Sequence, residues 1–371
     1  MLQRDVCLRL NGIPQLGPLR AHRLLRDFGD LQRLAAASVQ ELRRIEGIDA
    51  ALAAAIAGAL RDARGPEREL AAAQRAGAAI IALGDAEYPE ALRTIPDPPL
   101  ILYRRGAWRG GSACHIAVVG SRNASLYGVS CAEQLGYELA ERGLTVVSGL
   151  ARGIDAAAHR GALKANGCTV AVLGSGLDRV YPPEHAELAE QIQRQGAVLS
   201  EYPMQASPLS HHFPQRNRVI SGLSLGVVVV EAARRSGALG TARLALEQGR
   251  DVFAVPGPIR SPTSQGTHDL LKDGARLVSS VEDIIDELGL VPMEAATSKT
   301  GRASTGATVN DLTAAEARVY ACVTDQPRWL DVIASACGLS VMETSAALLQ
   351  LELKRVVRQI PGKQFLRALI G

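Results

Sequence analysis

Short apolar runs alternate with amphipathic stretches in the middle of the chain, from residue 112 to residue 290. Each run is apolar at consecutive positions, which indicates a strand with both faces buried, and the stretches between the runs have helical spacing. This alternation predicts an α/β domain in which a doubly wound, mostly parallel sheet is covered by helices on both sides. The predicted strands are residues 116–119, 145–147, 170–173, 198–199, 227–230 and 252–255.

The first 75 residues are rich in Ala, Leu and Arg, and their apolar spacing is helical throughout. Glycine-containing turns at residues 12–17 and 45–48 precede helices. Each turn resembles half of a helix-hairpin-helix unit, in which backbone N–H groups face a DNA phosphate. The alternative is a plain helical bundle with glycine C-caps, which we favour because Glu46 and Asp49 flank the second turn and would repel phosphate.

A third pattern follows the predicted sheet. Residues 291–310 are small and polar with little periodicity, which is typical of a flexible linker. Three helical segments come next, at residues 312–323, 330–336 and 341–353, and a hairpin around Pro361 completes a winged-helix pattern. The third helix contains acidic but no basic residues, so we expect it to contact a protein or the DNA backbone weakly rather than to read a duplex.

These patterns predict four parts, in keeping with a length of 371 residues, which exceeds one typical domain. They are a small helical domain of the SAM or helix-hairpin-helix type at 1–75, an extended sheet domain at 76–290, the linker at 291–310 and the winged helix at 311–371.

Composition narrows the classes of function. The net charge of +3 is too small to indicate nucleic-acid binding by itself, so any basic surface must be local. The six cysteines form no C-x-x-C pair, which disfavours structural zinc and a disulfide framework. No apolar stretch reaches the roughly 18 residues of a membrane span, and the N-terminus does not resemble an export signal. A reduced cytoplasmic protein without a metal or other cofactor is the simplest expectation.

Ligands of doubly wound sheets bind beyond the carboxyl ends of the strands, so the residues that follow each run are the candidates. Most of these exits contain glycine or an acidic residue, and several arginines lie near them. Glycine turns at helix starts, combined with guanidinium groups, suit successive phosphates of a nucleic-acid strand. We therefore predict a single-stranded DNA site and no catalytic residues. The site is predicted to comprise Gly120, Ser121, Arg122, Ser148, Gly149, Arg152, Gly153, Phe213, Arg216, Asn217, Arg218, Gly240 and Thr241.

One of the candidates, Phe213, and one neighbouring pair of residues have competing interpretations. Phe213 follows two histidines and precedes two arginines, so its ring could stack on an unpaired base, or it could be a core residue. Asp155 and His159 are four residues apart on a predicted helix and are expected to touch. They could form an acid/base pair, but no serine or cysteine elbow accompanies them, and we favour Asp155 as the cap that orders residues 149–153.

The same strand exits exclude the common nucleotide enzymes. The chain contains no G-x-x-x-x-G-K-[ST] loop, and Gly174-Ser175-Gly176 lacks the third glycine of the dinucleotide signature. ATP hydrolysis and NAD chemistry are therefore not expected.

Read together, these motifs resemble one family, the DNA processing protein A or Smf family of bacterial transformation. The resemblance extends over most of residues 80–280. Its motifs are Tyr88-Pro89, Val-Val-Gly-Ser-Arg at 118–122, Ser-Gly-Leu-Ala-Arg-Gly-Ile-Asp at 148–155, Val-Leu-Gly-Ser-Gly-Leu-Asp at 172–178, Ser-Glu-Tyr-Pro at 200–203, Phe-Pro-Gln-Arg-Asn-Arg at 213–218 and Val-Phe-Ala-Val-Pro-Gly at 252–257.

The resemblance implies an extended Rossmann-like domain that binds single-stranded DNA, forms homodimers and helps to load the RecA recombinase, without catalysis. It also implies that Arg122 and residues 149–153 hold phosphates, and that Phe213, Arg216 and Arg218 lie along the path of the strand. Residues 236–241 depart from the family pattern, because Ala238 stands where a serine is expected.

The main alternative is a nucleoside-monophosphate phosphoribohydrolase on a similar fold. That class carries a catalytic Glu within three residues after a glycine-threonine turn, whereas Thr241 is followed by Ala, Arg and Leu. A sequence-specific transcription factor is a third interpretation, and the acidic third helix of the winged-helix segment disfavours it.

Overall fold

The computed structural model describes residues 3–13, 15–62, 64–108, 114–290, 312–323, 328–354, 357–360 and 364–367. The chain divides into two compact units, residues 1–296 and residues 297–371. The predicted linker at 291–310 and the turn at Pro361 lie outside the described residues. The limits proposed for the four parts stay predictions.

The N-terminal segment consists of six helices, in which apolar positions recur on one face. The side chains of Asp30, Ser38 and Asp49 cap the starts of three of them. Asp49 caps the helix Ala50–Arg61 by accepting the N–H of Leu52 at 2.8 Å, so its carboxylate has a structural role at this turn. The buried side chains of Leu10, Leu24 and Ile56 belong to a core that continues into the sheet. The helices are α1 Gln3–Asn11, α2 Pro18–Phe28, α3 Leu31–Ala36, α4 Val39–Leu42, α5 Ala50–Arg61 and α6 Arg64–Arg75.

A nine-stranded sheet forms the centre of the first unit, in the order β1-β2-β6-β5-β4-β3-β7-β8-β9. The run from β6 to β9 is parallel, and β1 and β2 add an antiparallel edge. The doubly wound, mostly parallel sheet is thus confirmed. Its strands are β1 Ala79–Ala82, β2 Ile101–Gly106, β3 His115–Val119, β4 Thr145–Ser148, β5 Thr169–Leu173, β6 Ala197–Ser200, β7 Gly226–Val229, β8 Asp251–Ala254 and β9 Arg276–Leu277.

The sequence pattern did not predict β1, β2 and β9. The first two are short apolar segments beside the helical module, where a run of four to six residues fits a strand or a buried helix equally well. In the structure, Ile80 of β1 lies opposite Tyr103 of β2, and Tyr103 lies opposite Ser200 of β6. These long-range pairings, rather than the local sequence, identify the two segments as strands.

Helices cover both faces of the sheet. Among them α8 and α9 approach each other closely. Gly136 and Gly161 allow this approach, because a Cβ atom on either residue would collide with the backbone oxygen of Ala158 or Glu133, respectively. This contact fixes the start of α9 relative to the ends of β3 and β4. The helices are α7 Glu90–Arg93, α8 Leu126–Glu141, α9 Ile154–Lys164, α10 Ala186–Gln195, α11 His212–Leu223, α12 Gly237–Glu247, α13 Gln265–Lys272 and α14 Val281–Glu287.

His159 of α9 is fully buried beneath the sheet and does not hydrogen-bond Asp155. Its Nδ1 lies 2.7 Å from the hydroxyl of Thr169, which donates to the backbone oxygen of Val146 at 2.8 Å. Because Thr169 donates its only hydroxyl proton to Val146, the hydrogen bond between Thr169 and His159 must be donated by the Nδ1–H group of His159. Its Nε2 is buried without a partner among the described residues, and burial lowers the pKa of His159 to about 3. The ring is therefore neutral in the folded protein.

Stability should consequently fall in mild acid. The unfolded His159 takes up a proton below its ordinary pKa of 6.5 and the folded one does not, so the loss begins near pH 6.5 and continues towards pH 3. We expect this residue to contribute a slope of about 1.4 kcal/mol per pH unit over that window. Urea denaturation between pH 7 and pH 4.5 measures it, with His159→Asn as the non-titrating control. Equal slopes for the two proteins would contradict the assignment.

The second unit has helices α15 Ala314–Cys322, α16 Leu330–Cys337 and α17 Val341–Leu353, and a three-stranded sheet of β10 Arg328–Trp329, β12 Gln364–Arg367 and β11 Val357–Ile360. Val319, Ile333, Leu348 and Phe365 share its core. Three helices followed by a hairpin confirm the predicted winged helix. Within the described ranges, no single helix is long and apolar enough to span a membrane, although the bent pair of α16 and α17 passes that test jointly.

Candidate nucleic-acid interface

A cavity of about 460 Å³ opens at the carboxyl edge of the sheet, where β3, β7, α9, α11 and α12 meet. It brings together six of the thirteen residues predicted for the site, and these come from three separate segments of the chain. Its lining is Val119, Gly120, Ser121, Arg122, Asn123, Ala151, Asp155, Arg216, Asn217, Ile220, Ala233, Arg235, Ser236, Gly237, Ala238 and Thr241.

The turn after β3 presents Arg122 to solvent. The N–H of Ser121 donates to the backbone oxygen of Glu231 at 2.7 Å, which ties the turn to the end of β7. Gly153 packs against the backbone of Ser121 and Arg122 with a φ of +73°, where a side chain would collide. The Arg122 guanidinium lies over the ring of Phe213, with its Cζ 5.2 Å from the ring centroid. The guanidinium is thus placed by its neighbours yet open to a ligand.

The loop after β4 is ordered by Asp155, as the capping interpretation expects. Its Oδ2 accepts the N–H groups of Gly149 at 3.1 Å and Ala151 at 3.3 Å. Burial raises the pKa of Asp155, and the Arg216 guanidinium and these backbone donors oppose that rise. Ser148 is buried and donates its hydroxyl to the backbone oxygen of Val118 at 2.6 Å, so it supports the loop from below and does not line the cavity.

Arg216 forms the floor of the cavity. Its side chain is buried and donates to the backbone oxygens of Gly149, at 2.8 Å, and Val172. Its Nε finds no partner among the residues that the structure describes. Burial lowers the pKa of Arg216 to about 10, so the group stays charged at neutral pH. Arg216 therefore holds the strand ends together and leaves a positive charge below the cavity.

Arg218 lies elsewhere, and this corrects the expectation that it follows the path of a bound strand. Two residues along an α-helix are about 200° apart, so Arg216 and Arg218 of α11 project in opposite directions. The Arg218 guanidinium is buried and pairs with Glu201 at 2.6 Å and Asp97 at 2.9 Å. With its side chain only 4% exposed, it is a structural ion-pair partner.

Phe213 is partly a core residue and partly available for stacking, so both interpretations from the sequence apply to it. It is half-buried, and its ring contacts the backbone of Gly174, where a Cβ atom would collide with it. The ring of Tyr181 lies 5.5 Å away between centroids at an angle of 50°, and Tyr181 is itself exposed. Together with Arg122, these two rings make a partly exposed aromatic surface beside the cavity mouth.

Arg152 is exposed, as a phosphate ligand must be, but its guanidinium pairs with the carboxylate of Glu184 at 2.5 Å. Both side chains are about half exposed, at 54% and 48%. Such a surface pair contributes little to stability. It does place a negative charge where an incoming phosphate would bind Arg152.

Replacing Glu184 with Gln should therefore tighten binding of single-stranded DNA, because Arg152 loses a competing anion. We expect a gain of about two- to fivefold at low salt that shrinks as salt rises. Fluorescence anisotropy with a labelled oligonucleotide measures it, and Glu187→Gln, which removes the same charge from α10, is the matched control. Weaker binding by Glu184→Gln would instead show that Glu184 orients Arg152 productively.

The last two predicted residues, Gly240 and Thr241, differ in their position relative to the cavity. Thr241 lines the cavity, whereas Gly240 lies half-buried on α12 and does not. The sequence-based prediction missed Asn123 and Arg235, which line the cavity together with Thr241. A usable signal for Arg235 existed, because it follows the exit of β7 and directly precedes the Ser236 cap of α12.

The fold and the cavity define a Rossmann-like protein with an arginine-lined cavity at the carboxyl edge of its sheet. The chain belongs to the DNA recombination-mediator protein A family, whose model matches residues 79–289. A DprA winged helix domain matches residues 303–363, and a SAM-like helix-hairpin-helix tandem matches residues 8–62. These matches confirm the family resemblance, the winged helix and the helix-hairpin-helix type of the first domain, for which we had favoured a plain helical bundle. They assign the chain a role in DNA processing as a recombination mediator.

Individual relatives agree. The chain is 45% identical to Protein Smf of Escherichia coli over 278 residues, which are 74% of each chain. The X-ray structure of DNA processing protein A from Streptococcus pneumoniae superposes with a TM-score of 0.67 at 35% identity, covering 77% of this chain and 98% of that one. DNA processing protein A from Helicobacter pylori, whose single-stranded DNA binding mode has been described structurally, matches with a TM-score of 0.51 at 29% identity over 57% of this chain and 95% of that one.

Proposed function

We propose that this protein binds single-stranded DNA at the cavity between Gly120 and Thr241 and acts, without catalysis, in loading RecA onto that strand. The observation that carries the proposal is the placement of Arg122, whose exposed guanidinium lies over Phe213 at the mouth of a cavity with a cationic floor. Cation, backbone donors and an aromatic face in one place are the requirements for holding a phosphate and stacking an unpaired base.

The preference for a single strand follows from the aromatic surface. Phe213 and Tyr181 are only partly exposed and lie beside the cavity, so a base must leave its stack to reach them. In a duplex, each base is paired and stacked, and extracting one costs a few kcal/mol. An unpaired strand avoids that cost. The Helicobacter pylori relative, described as binding single-stranded DNA, supports the same ligand for this chain.

The enzyme alternative receives no support from the cavity. Asp155 is the carboxylate that lines it, and both of its described hydrogen bonds go to the loop that it orders. The residues after Thr241 provide no carboxylate at the spacing that a phosphoribohydrolase uses. We therefore propose that the cavity holds a strand without cleaving a glycosidic bond.

Homodimer formation, the RecA contact and a cytoplasmic location belong to the same proposal. The first two are what the family resemblance implies. All six cysteines are free thiols, which suits a reducing compartment.

Two measurements test the proposal. Anisotropy with the same labelled oligonucleotide, single-stranded and then annealed to its complement, should show salt-sensitive binding that favours the single strand by about tenfold or more. RecA ATPase activity on single-stranded DNA covered by a single-strand-binding protein should then rise when this protein is added. Equal affinity for the duplex would refute the site as proposed, and normal DNA binding without ATPase stimulation would refute RecA loading alone.

A further inference from the structure

Glu231 follows β7 and is a buried carboxylate, only 2% exposed. Its side chain does not line the cavity. It makes no ion pair with any residue that the structure describes, whereas the buried Glu201 pairs with Arg218. A buried carboxylate without a cation must be stabilised by hydrogen bonds, so the groups that donate to it identify what it holds.

The carboxylate of Glu231 joins two connections at the edge of the sheet. Its Oε2 accepts the N–H of Ser125 at 2.8 Å, and its Oε1 accepts the Ser125 hydroxyl at 2.6 Å. Oε1 also accepts the hydroxyl of Thr263 at 3.1 Å. Ser125 ends the turn after β3 and caps α8, whereas Thr263 lies between β8 and α13. Gly128 leaves room for the carboxylate, because a Cβ atom there would lie 2.4 Å from Oε2.

Glu231 also holds both ends of the turn that carries Arg122. Its backbone oxygen accepts the N–H of Ser121 at 2.7 Å, directly before Arg122, and its carboxylate binds Ser125, three residues after Arg122. Within the turn, the Ser121 hydroxyl accepts the N–H of Asn123 at 3.2 Å. The exposed Arg122 therefore projects from a turn whose first and last residues are both bonded to Glu231.

We infer that Glu231 is a positioning residue for DNA binding, which holds Arg122 where its guanidinium meets a phosphate. The inference rests on the proposed function, because it assigns how the cation of that site is held. Its expected effect is opposite in sign to that of simple electrostatics. Removing a negative charge near an anion site should by itself tighten binding, whereas loss of the support of Arg122 should weaken it.

A double-mutant cycle with Arg122 tests this inference. Anisotropy with a fluorescent single-stranded oligo-dT, at low salt and well below the melting temperatures, compares the wild type, Glu231→Ala, Arg122→Ala and the double variant. We expect Glu231→Ala to weaken binding about fivefold or more in the wild-type background and to cause no further loss in the Arg122→Ala background. Equal losses in both backgrounds would overturn the inference, because Glu231 would then act on the fold in general. Tighter or unchanged binding by Glu231→Ala would overturn it as well.

Milder variants keep the test open if Glu231→Ala does not fold. Glu231→Gln removes the charge but keeps hydrogen-bonding atoms, so its affinity should recover to within about twofold of the wild type. Ser125→Ala loses the hydroxyl on the Arg122 side and should weaken binding about threefold, whereas Thr263→Val loses the other hydroxyl and should change binding less than about twofold. Wild-type binding by Ser125→Ala, or an equal loss for Thr263→Val, would contradict the inference. If the wild type itself does not bind, the proposed function fails instead.

Discussion

Replacing Arg218 with Ala should lower the free energy of unfolding by about 3–5 kcal/mol, the usual cost of removing one partner of a buried ion pair. The change leaves the carboxylate of Glu201, in a side chain only 9% exposed, without its cation and exposes Asp97 to the same loss. Burial already raises the pKa of Glu201, and the charge of Arg218 is the main opposing effect. Urea denaturation at pH 7 measures the change.

A double-mutant cycle separates the ion pair from general damage. Glu201→Ala alone should also be strongly destabilising, whereas the double variant should lose much less than the sum, because no charge of the pair is then left buried without its partner. Additive losses would contradict the pairing. Arg122→Ala, which removes an exposed guanidinium, should leave the unfolding free energy within about 0.5 kcal/mol of the wild type.

This prediction also separates the two arginines of α11 by function. If Arg218 touched DNA, its loss would reduce affinity in a protein of normal stability. We expect instead that the variant loses stability, and that any loss of affinity for DNA results from the unfolded fraction of the protein. Binding measured well below the melting temperature of the variant decides between these outcomes.

Replacing Arg122 with Ala should weaken binding of single-stranded DNA at least about tenfold near 0.1 M salt and lower the salt slope by about 0.7. On the proposed function, Arg122 supplies the cation that binds a phosphate, and it also covers one face of Phe213, with its Cζ 5.2 Å from the ring centroid. Both contributions are lost together. Anisotropy with a labelled oligonucleotide across a salt series gives the affinity and the slope from one experiment.

Two companion variants make this result specific. Arg122→Lys keeps the charge but loses the planar guanidinium, so the salt slope should be retained while affinity falls. Arg160→Ala removes an exposed charge from α9, outside the cavity lining, and should bind nearly as the wild type does. A loss of DNA affinity for Arg160→Ala as large as that for Arg122→Ala would mean that overall charge, rather than a phosphate site at the turn after β3, governs binding.

Part of the candidate site could be located from the sequence because parallel strands deliver their carboxyl ends to one edge. Gly120, Ser121 and Arg122 directly follow a run that is buried on both faces, so their position at that edge needs no knowledge of the rest of the fold. The same rule located the loop at Gly149, and the helical spacing of residues 341–353 located α17 of the winged helix.

The strand pair at the antiparallel edge was beyond such reasoning. A run such as residues 79–82 becomes a strand only when another strand pairs with it in register. Here the paired residues lie 19 to 25 positions further along the chain, in a strand that itself pairs with β6. Local propensity does not contain that information, because it depends on which surface the helical module leaves free.

By itself, the sequence determined the alternation of strands and helices, the helical character of the first domain, the winged helix and the position of Arg122 at the carboxyl edge of the sheet, because these follow from local periodicity and from the common direction of parallel strands. The tertiary structure alone decided which arginines remain available. Arg218 has acidic partners at positions 97 and 201, distant in the chain, while Arg216 is bound by the ends of β4 and β5. Charge is a property of the residue, but its availability depends on what folding places beside it.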